Sequence, residues 1–377
     1  MSEKLSHPIP GGDHNNEFEL RRRKLVETLA ATDADCLLVT NTSNVTYLTG
    51  FTGDSSYLLV GPDQTILISD ARFETQIAEQ CADLEAFIRS TGQKMVQATV
   101  DILQSQPGHR IGFESGSVNF ALWESLRDGL ESRELTPLSG KVEALRQVKD
   151  AGEVEQIRDA VRLAEAAFTE LLTRVGPETT ELEAFAELEY IARRRGAKGM
   201  SFEPIIGVGD RSALPHYQPG RRKLGDDPLI LFDWGVVGPH GYVSDLTRVA
   251  RTDTIPPKLQ RAQELVSEAV EAAITAIRPG TELKKIDGIA RNVIEEGGFG
   301  DKFGHGLGHG IGLEVHEGPR LSPLGEGCLE IGNVVTVEPG IYLEGLGGIR
   351  IEEDVLVTES GAEVLSSLPR TFHELAW

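Results

Sequence analysis

Three histidines in one glycine-rich run are the most conspicuous chemical feature of this chain. His305, His309 and His316 lie within residues 302–317, where glycines surround them and the run then turns apolar. Imidazole is a common metal ligand and proton carrier, and flanking glycines let the backbone approach a metal or a substrate closely. A packed core does not require this composition, so the run indicates a chemical role.

Four carboxylates elsewhere each lie within or at the end of an apolar or β-branched stretch that predicts a strand. They are Asp233, Asp245, Glu338 and Glu352. Charged side chains are rarely buried unless they are paired or bind a metal. A solvated strand edge or turn explains any one of them equally well, but four together beside a histidine run favour a metal site.

Four carboxylates and one imidazole can bind two divalent cations. Oxygen-rich sites with a single nitrogen suit manganese, cobalt, iron or zinc, whereas a structural zinc site uses several thiolates. The three cysteines, Cys36, Cys81 and Cys328, are too scattered for such a site. Two metals about 3.5–4 Å apart can share a water and stabilise both oxygens of a hydrolytic transition state. The residue types therefore favour metal-assisted hydrolysis.

The motifs around these residues resemble the pita-bread metallopeptidases (M24), the family of methionine aminopeptidase, prolidase and Xaa-Pro aminopeptidase. The matching motifs are at 232–235, 241–248, 308–317, 338–342 and 350–352. The resemblance implies five metal ligands, which are Asp233, Asp245, His309, Glu338 and Glu352. In that family Asp233 would bind one metal, His309 and Glu338 the other, and Asp245 and Glu352 both.

The spacing departs from the family at one place. Asp245 follows Asp233 by twelve residues, where the family usually has eleven. We expect a hairpin loop at 236–240 that is one residue longer and leaves both ligands in register.

The resemblance also assigns roles outside the ligand set. His216 and His316 would flank the scissile carbonyl and hold the substrate or the tetrahedral intermediate, although His216 taken alone is equally a turn residue. Glu338 would carry a proton from the attacking water to the leaving nitrogen. Arg320 would pair with the free carboxylate of a dipeptide, but a similarly placed arginine occurs in relatives that act on longer peptides. His305 would support the site or have no role.

The chain is long enough for two domains. We expect a flexible tail over 1–16, an α/β domain over 17–149 and a catalytic domain over 150–377. Helical spacing from Glu17, strands at 36–40 and 110–114, and a hairpin at 57–68 indicate the α/β domain. Its motifs at 44–51 and 70–73 resemble the amino-terminal domain of creatinases, prolidases and Xaa-Pro aminopeptidases, which methionine aminopeptidase normally lacks.

The second domain contains a weak internal repeat. A capping box at Thr180 opens a helix that stops near Gly196, and Thr281 precedes another that stops at Gly297. Strand-rich chain follows each helix, which fits the duplicated αββ architecture implied for a pita-bread domain. A further helix is expected from Pro256 to about Ile277.

The resemblance implies a dinuclear-metal exopeptidase that cleaves the bond between an amino-terminal residue and proline through a metal-bridging water. Manganese is the first choice of metal, with cobalt, zinc or iron as alternatives, and the substrates would be small peptides with proline in second position. Both an Xaa-Pro dipeptidase and an Xaa-Pro aminopeptidase fit. A creatinase-like or other non-peptidase reaction, or a binding protein that has lost catalysis, fits less well because all five ligand types are present.

Composition narrows the setting. A net charge of −22 and a pI near 4.9 argue against a nucleic-acid partner, which requires a basic surface. The acidic, lysine-poor composition is typical of halophilic proteins and equally of ordinary acidic enzymes. Scattered cysteines favour a reducing compartment, and neither a signal pattern nor a membrane-length apolar run is found. We expect a cytoplasmic protein without a membrane partner, and the resemblance implies a homodimer.

Overall fold

The computed structural model describes residues 14–377, which divide into a first unit ending at Arg146 and a second unit from Gln147 to Trp377. Most of the tail expected over 1–16 lies outside the described residues. Residues 14–16 are already helical, because the first helix begins at His14 and not at Glu17. The first helix therefore starts three residues earlier than the sequence pattern predicts.

The first unit is an α/β layer built on one six-stranded sheet, whose strands run in the order β4-β3-β2-β1-β5-β6. Strand β1 pairs antiparallel with β2 and parallel with β5. The hairpin and the two strands expected from the sequence are all present. The elements are α1 (His14–Leu29), β1 (Cys36–Val39), α2 (Thr42–Thr49), β2 (Tyr57–Val60), β3 (Thr65–Asp70), α3 (Glu74–Gln80), β4 (Glu85–Arg89), α4 (Met95–Ser105), β5 (Arg110–Glu114), α5 (Phe120–Gly129), β6 (Glu134–Leu138) and α6 (Lys141–Gln147).

Helix α2 coincides with the 44–51 motif, and local signals set both of its ends. The Asn41 side chain accepts a hydrogen bond from the Asn44 amide, which caps the first turn. At the other end Gly50 has a φ of 75°, a left-handed conformation that favours glycine and stops the helix. The motif is therefore a capped helix that packs its buried face into the first unit.

The second unit contains two larger sheets, with strand orders β19-β11-β9-β8 and β13-β12-β14-β17-β18, and two small ones, β10-β7 and β15-β16. Its elements are α7 (Ala151–Leu172), α8 (Glu181–Arg194), β7 (Gly199–Met200), β8 (Ile205–Val208), β9 (Leu229–Trp234), β10 (Val236–Val237), β11 (Leu246–Arg251), α9 (Pro257–Ala276), α10 (Leu283–Glu296), β12 (Gly308–Gly310), β13 (Glu317–Leu321), β14 (Val334–Val337), β15 (Gly340–Leu343), β16 (Gly347–Arg350), β17 (Glu353–Thr358), β18 (Gly361–Val364) and β19 (His373–Glu374).

The repeat of helices followed by strands occurs twice in this unit, as the sequence predicts. Thr180 and Glu183 form the capping box that starts α8. Helix α9 begins at Pro257 and ends at Ala276, one residue inside each expected boundary. Helix α10 starts at Leu283 without a side-chain cap and ends before Gly297.

Strand β9 lies between two apolar clusters, and its alternating side chains determine which face of the sheet Asp233 occupies. Leu229 and Leu231 pack with α9 and α10, whereas Ile230 and Phe232 pack with α7 and α8. Side chains alternate along a strand, so Asp233 shares the face of Leu229 and Leu231. The carboxylate therefore lies on the side of the sheet that faces the second half of the unit.

The sequence led us to expect free cysteines and no membrane-spanning segment. Cys36 and Cys81 are buried and Cys328 is exposed, and all three are free. Burial raises the pKa of Cys36 and of Cys81 to about 11, so both are unreactive thiols at neutral pH. Among residues 14–377 no helix is both long and apolar enough to cross a membrane.

Candidate metal centre

The five proposed metal ligands come together where strands of both larger sheets end. They are Asp233 in β9, Asp245 just before β11, His309 in the middle of β12, Glu338 just after β14 and Glu352 between β16 and β17. Four of them are buried and Glu338 is partly exposed. The longer segment between Asp233 and Asp245 forms β10 and a turn at 238–241, which absorbs the extra residue without removing Asp245 from the cluster.

One ring nitrogen lies between carboxylates of different sheets. His309 Nε2 is 3.3 Å from Glu338 Oε1 and 3.7 Å from Asp245 Oδ2. Asp245, His309 and Glu352 each offer a ligand atom within 4.8 Å of the other two. His309 Nδ1 lies 3.2 Å from the Gly310 carbonyl, which only accepts, so Nδ1 donates there and Nε2 is the ring nitrogen that faces the carboxylates.

Burial and mutual repulsion raise the pKa of three of the four carboxylates. For Asp245 burial is the largest cause, followed by the charge of Glu352, and its pKa is well above the usual value. For Glu352 burial is followed by the charges of Glu338 and Asp233. Burial also raises the pKa of Asp233 against the pull of Arg350. Burial by itself would raise the pKa of Glu338, but the hydrogen bond and charge of His309 oppose it, and the pKa of Glu338 is lowered.

The donor set fits divalent cations. Crowded, buried carboxylates cost free energy that bound cations relieve. Asp233 Oδ1 is buried without a hydrogen-bond partner, while its Oδ2 accepts from Arg350. Carboxylate oxygens with one imidazole nitrogen are ligands that manganese, iron, cobalt and zinc accept. The cluster is therefore a candidate metal site.

Arg350 connects the carboxylate cluster to two supporting side chains. Its guanidinium donates to Asp233, to Thr247 Oγ1 at 3.1 Å and to the Tyr342 hydroxyl at 2.7 Å. Thr247 in turn donates to Glu352 Oε2 at 2.8 Å. Two of the proposed ligands are thereby oriented by residues that the sequence did not single out. Their signal was present, since all three supporting residues lie inside the matched motifs at 241–248, 338–342 and 350–352.

His305 joins the same network. Its Nε2 lies 2.9 Å from the Tyr342 hydroxyl and its Nδ1 lies 2.8 Å from the Gly306 carbonyl. Since Tyr342 accepts from Arg350, it donates to His305 Nε2, and His305 Nδ1 donates to the carbonyl. Burial lowers the pKa of His305, which keeps the ring neutral and this arrangement intact. His305 therefore occupies a supporting position and lies outside the cluster of proposed ligands.

A cavity of about 760 Å³ opens onto the cluster and includes every residue proposed to contact substrate. His216, His316 and Arg320 line it together with all five proposed ligands, and Phe202 and Glu203, which the sequence did not single out, line it too. The rings of His316 and His309 are 4.4 Å apart, and Arg320 is paired with His309 across the β12–β13 ladder. Burial, and then His309, lower the pKa of His316.

A carboxylate and imidazole cluster that lines a cavity together with further histidines is typical of metal-dependent hydrolases. Comparison with known proteins identifies the family. The model of metallopeptidase family M24 matches residues 155–359, and the creatinase/prolidase N-terminal domain matches residues 21–148. The chain belongs to metallopeptidase family M24, and the predicted two-domain fold with a pita-bread catalytic domain is confirmed.

Relatives cover nearly the whole chain. The Xaa-Pro dipeptidase of Pyrococcus furiosus is 33% identical over 352 residues, which are 93% of this chain and 98% of that protein. The solved Xaa-Pro dipeptidase of Bacillus anthracis has a TM-score of 0.90 at 32% identity and covers 94% of this chain and 99% of its own. The solved X-Pro aminopeptidase of Thermotoga maritima has a TM-score of 0.84 at 35% identity and covers 92% of this chain and 99% of its own. The similarity therefore does not separate dipeptidase from aminopeptidase.

Proposed function

We propose that this protein hydrolyses the peptide bond between an amino-terminal residue and proline, using two divalent metal ions. The observation that carries the proposal is that four carboxylates and His309 line one cavity together with His216, His316 and Arg320. The five ligands would be those expected from the sequence, namely Asp233, Asp245, His309, Glu338 and Glu352.

Glu338 is the proposed proton carrier. When bound, the metals supply an activated water and polarise the scissile carbonyl. The Glu338 side chain is 18% exposed, against 7% for Asp245 and 10% for Asp233, so it is the more accessible to a reacting group in the cavity. It is therefore placed to accept a proton from the water and deliver it to the leaving proline nitrogen.

His316 and His216 are proposed to hold the substrate carbonyl and the negative charge that develops on it. His316 lies against the His309 ring, and His216 lines the same cavity. Hydrogen-bond donors aimed at a developing oxyanion stabilise the transition state more than the ground state. Loss of either ring should therefore lower kcat more than it raises KM.

The position of Arg320 favours substrates that have a free carboxylate close to the scissile bond. Among residues 14–377 no carboxylate forms an ion pair with it, although it lines the cavity. A guanidinium that has no internal partner is available to grip the carboxylate of an Xaa-Pro dipeptide in two parallel hydrogen bonds. This favours the dipeptidase, whereas an aminopeptidase would use Arg320 on a peptide carbonyl.

The decisive experiment compares Xaa-Pro with Xaa-Pro-Yaa peptides on protein supplied with manganese or cobalt. We expect metal-dependent release of the first residue, and Arg320→Ala should raise KM for dipeptides more than for tripeptides. A protein that takes up no divalent metal and cleaves neither substrate refutes the proposal. Equal effects of Arg320→Ala on both substrates would favour the aminopeptidase.

The finer features of the protein are also proposals. Manganese as the native metal is supported by the oxygen-rich ligands and is tested by elemental analysis of protein isolated without added metal. A cytoplasmic location is supported by three free cysteines.

The homodimer is tested by light scattering. The halophilic character of the acidic surface is tested by the melting temperature, which should rise in molar KCl if the surface is halophilic.

A further inference from the structure

The position of His216 depends on the segment that carries it. Residues 209–222, here called the His216 loop, follow β8 and contain only a short 3-10 turn at 209–213 before His216. The His216 side chain is exposed, and its ring has no hydrogen-bond partner among the described residues. The backbone of the loop therefore decides where this ring stands in the cavity.

One buried carboxylate contacts this loop at two points and the residue before it at a third. Glu181 is the first residue of α8 and has no exposed surface. Its Oε1 accepts a hydrogen bond from the Val208 amide at 3.0 Å, and its Oε2 accepts from the Tyr217 hydroxyl at 2.8 Å and the Gly220 amide at 2.9 Å. The three contacts fall on the residue before the loop, on the neighbour of His216 and near the far end of the loop.

The backbone at the start of α8 strengthens the same contact. The Glu181 amide donates to the Arg222 carbonyl at 2.9 Å, and the Leu182 amide donates to the Gly220 carbonyl at 3.0 Å. Arg222 forms an ion pair with Asp210, which joins the two ends of the loop. The loop is therefore closed on the first turn of α8, with Glu181 at its centre.

Helix capping does not account for Glu181. An acidic residue in a first turn often serves the helix dipole, but here Thr180 and Glu183 form the capping box. All three hydrogen-bond donors to the Glu181 carboxylate lie outside α8. Burial, and then the hydrogen bond to Glu181, raise the pKa of Tyr217 to about 12, so Tyr217 remains a donor. The side chain therefore serves the loop and not its own helix.

We propose that Glu181 is a positioning residue for peptide hydrolysis, which sets where His216 meets the substrate without touching the substrate itself. The catalytic part of this proposal rests on the proposed function, because it acts through the role of His216. Glu181 does not line the cavity, so its effect on turnover must pass through the loop. Substitution to glutamine replaces an acceptor with an NH₂ group that faces a donor, which breaks part of the contact without changing its shape.

The chain offers a matched control in the first turn of α7. Glu153 is also buried, and its Oε1 accepts a hydrogen bond from the Tyr242 hydroxyl at 2.7 Å. Neither Glu153 nor Tyr242 lines the cavity. Glu153 Oε2 also accepts from the Asp150 amide in the capping box of α7. Glu153→Gln therefore disturbs a buried contact between glutamate and tyrosine, and a helix cap, but not the His216 loop.

The first test is a double-mutant cycle with His216→Ala. Glu181→Gln should lower kcat/KM for an Xaa-Pro peptide about tenfold at unchanged metal content, and by less than twofold in the His216→Ala background, since coupled residues are non-additive. Tyr217→Phe should show a smaller loss with the same coupling. Glu153→Gln should lower the melting temperature comparably and kcat/KM by less than twofold. An equal loss from Glu181→Gln with and without His216 would refute a positioning role.

A second test does not depend on activity. Amide hydrogen exchange over 209–222 should be faster in Glu181→Gln than in the parent protein and unchanged in Glu153→Gln. If the parent protein cleaves no Xaa-Pro peptide, the proposed function fails, while the exchange experiment still tests the hold of Glu181 on the loop. Unchanged exchange in Glu181→Gln overturns that hold whatever the activity.

Discussion

Glu352 and Glu353 are adjacent buried carboxylates, yet they belong to regions of opposite electrostatic character. Glu353 accepts from Arg248 at 3.0 Å and from Arg370 at 2.7 Å, and these three residues form what is here called the arginine-paired cluster. Glu352 accepts from Thr247 and is surrounded by Glu338, Asp233 and Asp354, whose charges, after burial, raise its pKa. Neighbouring side chains of an extended chain point to opposite faces, which allows the two environments to coexist.

The difference distinguishes structural carboxylates from the proposed metal ligands. A buried carboxylate needs a positive partner, and in the arginine-paired cluster the chain supplies two of its own. In the metal centre, among the described residues, Arg350 is the one arginine that forms an ion pair with a proposed ligand. One guanidinium does not balance four carboxylates, which is the charge excess that the proposed metal ions would neutralise.

The largest effect is expected from Glu352→Gln. It removes a proposed metal ligand, so metal content should fall and kcat/KM should drop on the order of 10³-fold, as when a preorganised electrostatic contact is lost. Because it also relieves repulsion, the metal-free variant should melt no lower than the metal-free parent. Elemental analysis and melting with and without chelator measure both effects, and a lower melting temperature without metal would contradict the comparison.

Glu353→Gln should reverse this pattern. It leaves Arg248 buried without its charged partner, which costs about 3 kcal/mol of unfolding free energy by analogy with other broken buried pairs. The metal content of the folded protein should not change. Urea unfolding combined with metal analysis checks this, and loss of metal in a folded Glu353→Gln protein would show that the two clusters are not independent.

Tyr342→Phe tests whether the Tyr342 hydroxyl is needed to orient Arg350, the arginine paired with Asp233. The change removes the hydroxyl that connects Arg350 to His305 but keeps the ring, so it should lower kcat by 10- to 100-fold, as expected for residues that orient metal ligands. Metal content should stay near that of the parent. Unaltered kinetics would mean that Thr247 and Asp233 suffice to orient Arg350.

The smallest effect concerns Asp70 in the first unit, a further carboxylate paired with arginines. The hydrogen bond from Arg72, which is the largest contribution, holds the pKa of Asp70 well below its usual value. Its contribution is therefore complete above the unfolded pKa of about 3.9 and is lost as the pH falls through the lower folded pKa. Since Arg72 is 66% exposed, Asp70→Asn should cost about 1 kcal/mol or less at pH 7.

The check for Asp70→Asn is urea unfolding at pH 7 and at acidic pH. The parent and the variant should converge in unfolding free energy as the pH falls, because protonation removes the same charge that the substitution removes. A difference that persists undiminished at low pH would show that packing, and not the ion pair, accounts for the loss.

Local signals were sufficient for much of the fold. The capping box at Thr180 and the proline at 257 predicted the starts of α8 and α9 because helix termini are encoded by side chains adjacent in sequence. The start of α1 was placed three residues too late because His14, Asn15 and Asn16 are polar and lack the apolar spacing that marks the helix from Glu17. The roles of Tyr342, Arg350 and Thr247 escaped sequence reasoning because their partners lie up to 117 residues away.

The sequence by itself determined the family and the ligand types, since motifs with a fixed order and spacing specify a known arrangement of carboxylates and imidazoles. Only the tertiary structure decided which carboxylates receive arginines, which histidine directs a ring nitrogen at the carboxylates, and which buried glutamate holds the His216 loop. Glu181 and Glu353 look like ordinary acidic residues in the sequence. Their roles arise from burial and from distant donors, and both of these exist only once the chain has folded.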